Sequence, residues 1–176
     1  MGISLDGIVA TDSGPIVEGG DGLPPEDSRL TNRKLAWVRD AGAHLMGRVT
    51  YEQMASHWPS STHPYAAPMN EIPKIVFSKT LQRADWAESR IARGDLADEI
   101  ASLKAEPGKD LIAYGGAAFA QSLFRSDLVD EYRLTTHPIA VGHGMSLFTE
   151  LPAPRRLELV DAEKYGETLL RVYRRT

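Results

Sequence analysis

Apolar and polar positions alternate over Ile3, Ser4, Leu5 and Asp6, the period of a half-buried strand. Thr11 to Asp27 then carries Gly14, Pro15, Gly19, Gly20, Gly22, Pro24 and Pro25. A loop of that length in a compact domain covers a site or moves. Leu30, Leu35, Val38 and Ala41 next predict one face of a helix, with Asp27 or Ser28 as its cap and Gly42 as its end. His44-Leu45-Met46 reads as a short strand running into Gly47. Tyr51, Met54, Ala55 and Trp58 fall at i, i+3, i+4 and i+7 of a second helix, which Pro59 stops.

A second loop is expected through Pro59, Pro64, Pro68 and Pro73. Lys74 to Ser78 is nearly continuously apolar, the pattern of a buried parallel strand. Asp95 caps a helix with Leu96, Ile100 and Leu103 inward, closed by Pro107-Gly108. Leu111 to Tyr114 is another buried strand, running through Gly115-Gly116 into a helix over Ala117 to Phe124. The remainder changes character: a long strand over Tyr132 to Val141, then a hairpin of Leu157–Tyr165 and Thr168–Arg174 about Gly166. Strand–helix alternation closed by a hairpin predicts one α/β domain over residues 1–176, with a mixed, mostly parallel sheet.

Composition narrows the function. The chain has 176 residues, 42% of them apolar, no cysteine and a net charge of −4. Disulfides and thiolate metal sites are excluded, and the even spread of charge gives no basic footprint for nucleic acid. No uninterrupted apolar stretch is long enough for a membrane span, and Met1 to Asp6 lacks the pattern of a signal peptide. A cytoplasmic protein with a small-molecule ligand is expected. The histidines are not spaced as a helical metal pair, so no metal is expected.

Candidate chemistry gathers at strand-to-helix junctions. Met46-Gly47-Arg48-Val49-Thr50 and Tyr114-Gly115-Gly116-Ala117-Ala118 each join a buried strand to a helix. In a parallel sheet both fall at the carboxyl edge, where ligands bind. Glycine admits close backbone approach, and the first-turn amides of a helix favour an anion. Arg48 adds a charged fork and Thr50 a hydroxyl. Ser78 and Lys79 end a third buried strand in the same way. Two such turns suit a ligand with separated phosphates, meaning a dinucleotide, although neither G-x-G-x-x-G nor a P-loop is present. Asp6, Glu26 and Asp27 are carboxylates at the ends of the first strand and of the long loop, positions from which a desolvated acid donates a proton.

As an ordered set, five stretches resemble the dihydrofolate-reductase-fold superfamily, and more closely the reductase domain of the riboflavin-biosynthesis deaminase-reductase with its stand-alone relatives. They are Ser4-Leu5-Asp6-Gly7, Met46 to Glu52, Lys74 to Lys79, Leu111 to Gly116, and Pro138 through Gly144 to Phe148. The resemblance implies a three-layer αβα domain, NADPH as cofactor, and a homodimer. By position it places Arg48 at the adenosine 2′-phosphate with Ser78 and Lys79 beside it. Gly47 and Thr50 would meet the pyrophosphate from one helix, and Gly115, Gly116, Ala117 and Ala118 from the other. Ser4 to Gly7 would border the nicotinamide and substrate, and Thr11 to Asp27 would form a lid.

The implied activity is hydride transfer from NADPH to a C=N or C=O group of a pterin- or ribosylaminopyrimidine-like substrate. Reduction of 5-amino-6-(5-phosphoribosylamino)uracil is its most definite form. Dihydrofolate reductases carry an acid in the first helix, and the matching position here is Thr31. Asp6, Glu26, Asp27 or a bound water must then supply the proton, with Asp6 ranked first, and Ser4, Glu26 and Asp27 are the substrate-facing candidates. The alternative is a nucleotide-binding module of the same fold without reductase activity.

Overall fold

The computed structural model describes residues 1–16, 23 and 25–176. In chain order the first half runs β1 (Gly2–Ile3), β2 (Ile8–Thr11), β3 (Gly14–Pro15), α1 (Ser28–Arg39), β4 (Ala43–Gly47), α2 (Arg48–His57), α3 (Ala66–Glu71), β5 (Lys74–Phe77) and β6 (Ser89–Ala92). The second half runs α4 (Leu96–Ala105), β7 (Leu111–Ala113), α5 (Ala117–Arg125), β8 (Glu131–Thr136), β9 (Met145–Ser146), β10 (Leu157–Tyr165) and β11 (Thr168–Arg175). Two compact units result: residues 1–31 with 120–176, and residues 32–119. Among the described residues no helix is long and apolar enough to cross a membrane.

The unit of residues 32–119 is built on a wholly parallel sheet in the order β6-β5-β4-β7. Leu45, Met46, Ile75 and Val76 are buried in its two central strands, as sheets covered on both faces require. Val38, Met46, Tyr51, Met69, Val76 and Trp86 form one core cluster. Its polar atoms are matched: the Trp86 amide donates to the Tyr51 hydroxyl (3.0 Å), and the Trp86 indole donates to Asn70 Oδ1 (2.7 Å). Asp95 caps α4 as its position predicts, accepting from the amides of Ala97 and Asp98.

The other unit holds two sheets. One has the order β1-β8-β11-β10, with β1 parallel to β8 and the C-terminal hairpin added antiparallel. The hairpin turns at Gly166, whose φ of 57° favours glycine. The second sheet, β3-β2-β9, is antiparallel. Phe124, Tyr132 and Phe148 pack as an aromatic group with ring centres 5.2 to 6.0 Å apart.

The strand expected over Ile3 to Asp6 is shorter, Gly2–Ile3, and Leu5 and Asp6 lie in a turn. Three further expectations change. The segment 59–73 is not all loop: it holds a short 3-10 turn over Trp58–Ser60 and the helix α3. Pro68 is tolerated because it sits in the first turn of α3, where its missing N–H has no intrahelical partner to lose. The strand expected over Tyr132 to Val141 stops at Thr136, because Pro138 interrupts the ladder and Gly142 and Gly144 turn with φ of 75° and 125°. Part of the long loop is strand: Thr11 ends β2 and pairs with Gly14 of β3. Of that expected lid, residues 17–22 and 24 lie outside the described residues.

One row of the parallel sheet is polar and fully buried. His44 and Lys74 pair in register at the start of β4 and β5. Lys74 Nζ donates to the carbonyls of Met69 (2.9 Å) and Asn70 (2.7 Å) at the end of α3, and lies 4.6 Å from the centre of a Trp86 ring. Those carbonyls would otherwise be orphans of the helix terminus. Burial pulls the Lys74 ammonium down to about 8. His44 Nε2 donates to the Pro68 carbonyl (3.2 Å), and burial, reinforced by the Lys74 charge, brings its imidazole down to about 4.

Both shifts make stability depend on pH with the same sign. Between about pH 4 and 6.5 the unfolded chain protonates His44 while the folded chain does not, so stability falls as pH drops through that window. Between about pH 8 and 10.5 the unfolded chain keeps the Lys74 proton that the folded chain releases, so stability rises with pH. Each contribution amounts to at most about 3 kcal/mol. Urea midpoints measured across pH should rise in both windows, and Lys74→Met should remove the upper rise. An unchanged upper rise in that variant would assign it to another group.

Candidate functional site

Both glycine junctions stand at the carboxyl edge of the parallel sheet in residues 32–119. β4 ends at Gly47 and α2 begins at Arg48, while β7 ends at Ala113 and α5 begins at Ala117. Gly47 is the N-cap of α2 and supplies no side-chain hydrogen bond. The first-turn amides therefore lack the acceptor that Ser, Thr or Asp would give, and an external anion can take that place. A Cβ on Gly47 would lie 3.3 Å from Cβ of Phe119, so the tight packing there selects glycine.

Thr50 ties the two junctions together. Its Oγ1 donates to the Gly115 carbonyl (2.7 Å) and accepts from the Gly116 amide (2.8 Å). Thr50 is buried and its single hydroxyl proton is committed within the protein. In this structure the hydroxyl expected to meet a pyrophosphate holds the glycine turn in place, donating its proton to Gly115 and accepting from Gly116. A Cβ on Gly116 would lie 3.1 Å from Thr50 Oγ1, so a side chain there presses on the same bridge.

Cations flank this edge. Arg48 is exposed at the first position of α2, and its Nη1 donates to both oxygens of Glu52, one turn on, at 3.0 and 2.9 Å. Ser78, at the end of β5, accepts from the amides of Thr80 (3.2 Å) and Leu81 (2.9 Å), which shapes the turn that presents the exposed Lys79. β5 pairs directly with β4. Gly47, Arg48, Thr50, Gly115, Gly116, Ala117 and Ala118 are thus brought to one sheet edge, with Ser78 and Lys79 on the neighbouring strand end.

The acids expected to face substrate lie in the other unit, and each has a defined task. Ser4 Oγ donates to Asp6 (2.7 Å) and accepts from the Ile8 amide (2.8 Å). The Asp6 carboxylate also accepts from the amides of Val141 (3.2 Å) and Gly142 (2.7 Å). The Ser4 hydroxyl, followed by these amides, holds the Asp6 carboxyl down to about 2. Near neutrality Asp6 is an ionised acceptor that fastens the loop after β8. Asp27 accepts from the Arg29 amide at the start of α1 and pairs with the Arg29 guanidinium (2.8 Å), which lowers its pKa. Glu26 accepts from the hydroxyl of Thr31 (2.8 Å).

Two features escaped the sequence reading. Glu52 was visible as an i+4 neighbour of Arg48, a spacing that places both on one helix face. The amides of Val141 and Gly142 left no signal, because a backbone donor has no residue signature. Among the described residues no group of three or more His, Cys, Asp or Glu could hold a metal ion.

Comparison with known proteins adds the family. Residues 1–170 match the RibD C-terminal domain. The uncharacterized protein YyaP of Bacillus subtilis (strain 168) is 27% identical over 133 residues, covering 73% of this chain and 70% of that protein. A crystal structure from Shewanella sp. PV-4, bearing a provisional riboflavin-biosynthesis name, superposes with a TM-score of 0.75 at 25% identity, covering 100% of this chain and 96% of that one. The deaminase/5-amino-6-(5-phosphoribosylamino)uracil reductase of Thermotoga maritima gives a TM-score of 0.67 at 15% identity. This chain is covered to 99% there but spans only 55% of that longer protein. A chain matched over nearly its whole length, with reductase-type neighbours in structure, belongs to the RibD C-terminal domain family and has its dihydrofolate-reductase-like fold.

Proposed function

We propose that the protein is an NADPH-dependent reductase that delivers hydride to a C=N or C=O group of a pterin- or ribosylaminopyrimidine-like substrate. The observation that carries this reading is the pair of glycine junctions bridged by Thr50 beside two exposed cations, Arg48 and Lys79. The residues present fit the cofactor. Gly47 leaves α2 without a side-chain cap, and a Cβ on Gly116 would crowd Thr50. In this reading the first turns of α2 and α5 hold the pyrophosphate, and Arg48 and Lys79 hold the adenosine 2′-phosphate. The bound cofactor supplies the hydride from its nicotinamide ring. Thr50 keeps the Gly115-Gly116 turn in position, and the surrounding protein must keep water from the reacting groups. Membership of the family supports a reductase and leaves the substrate to be found.

For the proton we propose a donor other than the one ranked first from the sequence. Glu26, Asp27 or a bound water would supply the proton in place of Asp6, and we propose Glu26 as the first to test. The ionised Asp6 and the pairing of Asp27 with Arg29 favour, as a second reading, nucleotide binding without turnover. Oxidation of NADPH against a panel of dihydropterins and ribosylaminopyrimidines separates them, since binding without turnover on any substrate supports the module.

A second copy of the chain is proposed at β10. This strand is the outer member of its sheet, nine residues long, and Leu159, Val160 and Leu169 are exposed on the hairpin at 53%, 37% and 38%. A long edge with exposed apolar side chains calls for cover, and a two-fold pairing is the commonest solution.

Arg48→Ala should weaken NADPH by about tenfold or more and leave NADH almost unchanged, because a charge-assisted contact to the extra phosphate is lost. Fluorescence titration of both cofactors checks this, and equal losses would place Arg48 away from the phosphate. Glu26→Gln should lower turnover by about 10²–10⁴-fold with NADPH affinity intact, as removal of a general acid does. Asp6→Asn should instead leave the acid limb of the pH–rate profile where it is. Light scattering should give a dimer mass for the wild type and a monomer mass for Leu159→Asp.

A further inference from the structure

We propose that Glu52 is the resident counter-ion of Arg48, exchanged for the 2′-phosphate when NADPH binds, and that it limits the preference of the site for NADPH over NADH. The inference rests on the reading of Arg48 given above. Arg48 is the first residue of α2, where the partial positive charge of the helix terminus disfavours a cation. The order of the pair, basic residue first and acid one turn later, is also the weaker orientation for an i,i+4 ion pair. Helix stability therefore gives no reason for an arginine here, whereas an anionic ligand does.

Glu52 makes that arginine tolerable while no ligand is present. Both carboxylate oxygens engage Nη1 alone, at 3.0 and 2.9 Å. Among the described residues the remaining donors of Arg48, Nε and Nη2, make no hydrogen bond, so one edge of the fork stays open. The side chains of Arg48 and Glu52 are 44% and 47% exposed, so both can rotate as a phosphate arrives. The pair carries no net charge, and a phosphate dianion approaching it meets a carboxylate beside the guanidinium. It must displace that carboxylate or bear its repulsion. NADH, with a hydroxyl in place of the phosphate, leaves the pair undisturbed. The cost of Glu52 thus falls on NADPH alone.

Glu52→Gln tests this, because it keeps the shape and removes the charge. NADPH should bind about 2–5-fold more tightly, the change expected when one exposed ion pair of modest strength is removed. NADH should stay within about twofold of wild type. The salt dependence of NADPH binding should steepen, since the site then presents an uncompensated cation. In Arg48→Ala/Glu52→Gln the gain should vanish. Unchanged or weaker NADPH binding in Glu52→Gln, with Arg48→Ala still selective against NADPH, would overturn the counter-ion role and leave the cofactor reading intact. Equal losses of NADPH and NADH in Arg48→Ala would overturn both.

Discussion

The hydroxyl of Thr50 is the interaction on which the ligand-binding edge depends. One oxygen atom, donating to Gly115 and accepting from Gly116, joins the first turn of α2 to the turn before α5. The two residues at its far end are glycines on an irregular turn, a backbone with little of its own to fix it. A threonine has one χ1 torsion and few rotamers, so it spends little entropy on holding the bridge. A longer polar side chain could reach the same atoms and would specify them less well.

The same economy runs through the rest of the structure. Polar side chains in buried places complete backbone hydrogen bonding that secondary structure leaves unfinished. Lys74 closes the end of α3 and His44 serves the carbonyl of Pro68, while Asp95 opens α4 from an exposed position. Asp6 does so at the surface for two consecutive amides of an irregular loop. Lys74, His44 and Asp6 are titratable groups used for geometry: burial lowers the pKa of Lys74 and of His44, and the Ser4 hydroxyl with the loop amides lowers that of Asp6.

The periodic parts of the chain were legible for a physical reason. α2, α4, α5, β4, β5 and β11 bury side chains at regular intervals, and that regularity is written into residue order. The junctions at Gly47 and Gly115-Gly116 could be located for the same reason, since they lie where one period gives way to another. Short pieces held by distant partners were not legible. β9 is two residues long and exists because β2 pairs with it, and β6 is an edge strand with one fully buried residue, Ala92. The hydrogen-bond partners of Thr50 and Asp6 were not legible because residue type gives the capacity to hydrogen-bond and the fold decides who receives it. Glu52 shows the reverse case: its spacing from Arg48 was in plain view, and only the charge at the helix terminus gives that spacing meaning.

The pairing of Gly2 with Thr135 has a consequence for how the molecule is made. Residues 32–119 are contiguous and carry every strand of their parallel sheet, so that sheet can close while the ribosome is still adding the remainder. β1 must wait for β8, more than 130 residues later, and the sheet they share is complete only after β10 and β11 emerge. Contacts of such long sequence separation form slowly, because the loop between them must be closed before any bond rewards it. The nascent chain therefore passes through a stage in which its middle is folded and its amino-terminal strand is not. During that stage Ile3, Ile8 and Val9, all buried in the finished protein, are open to chaperones and to other chains.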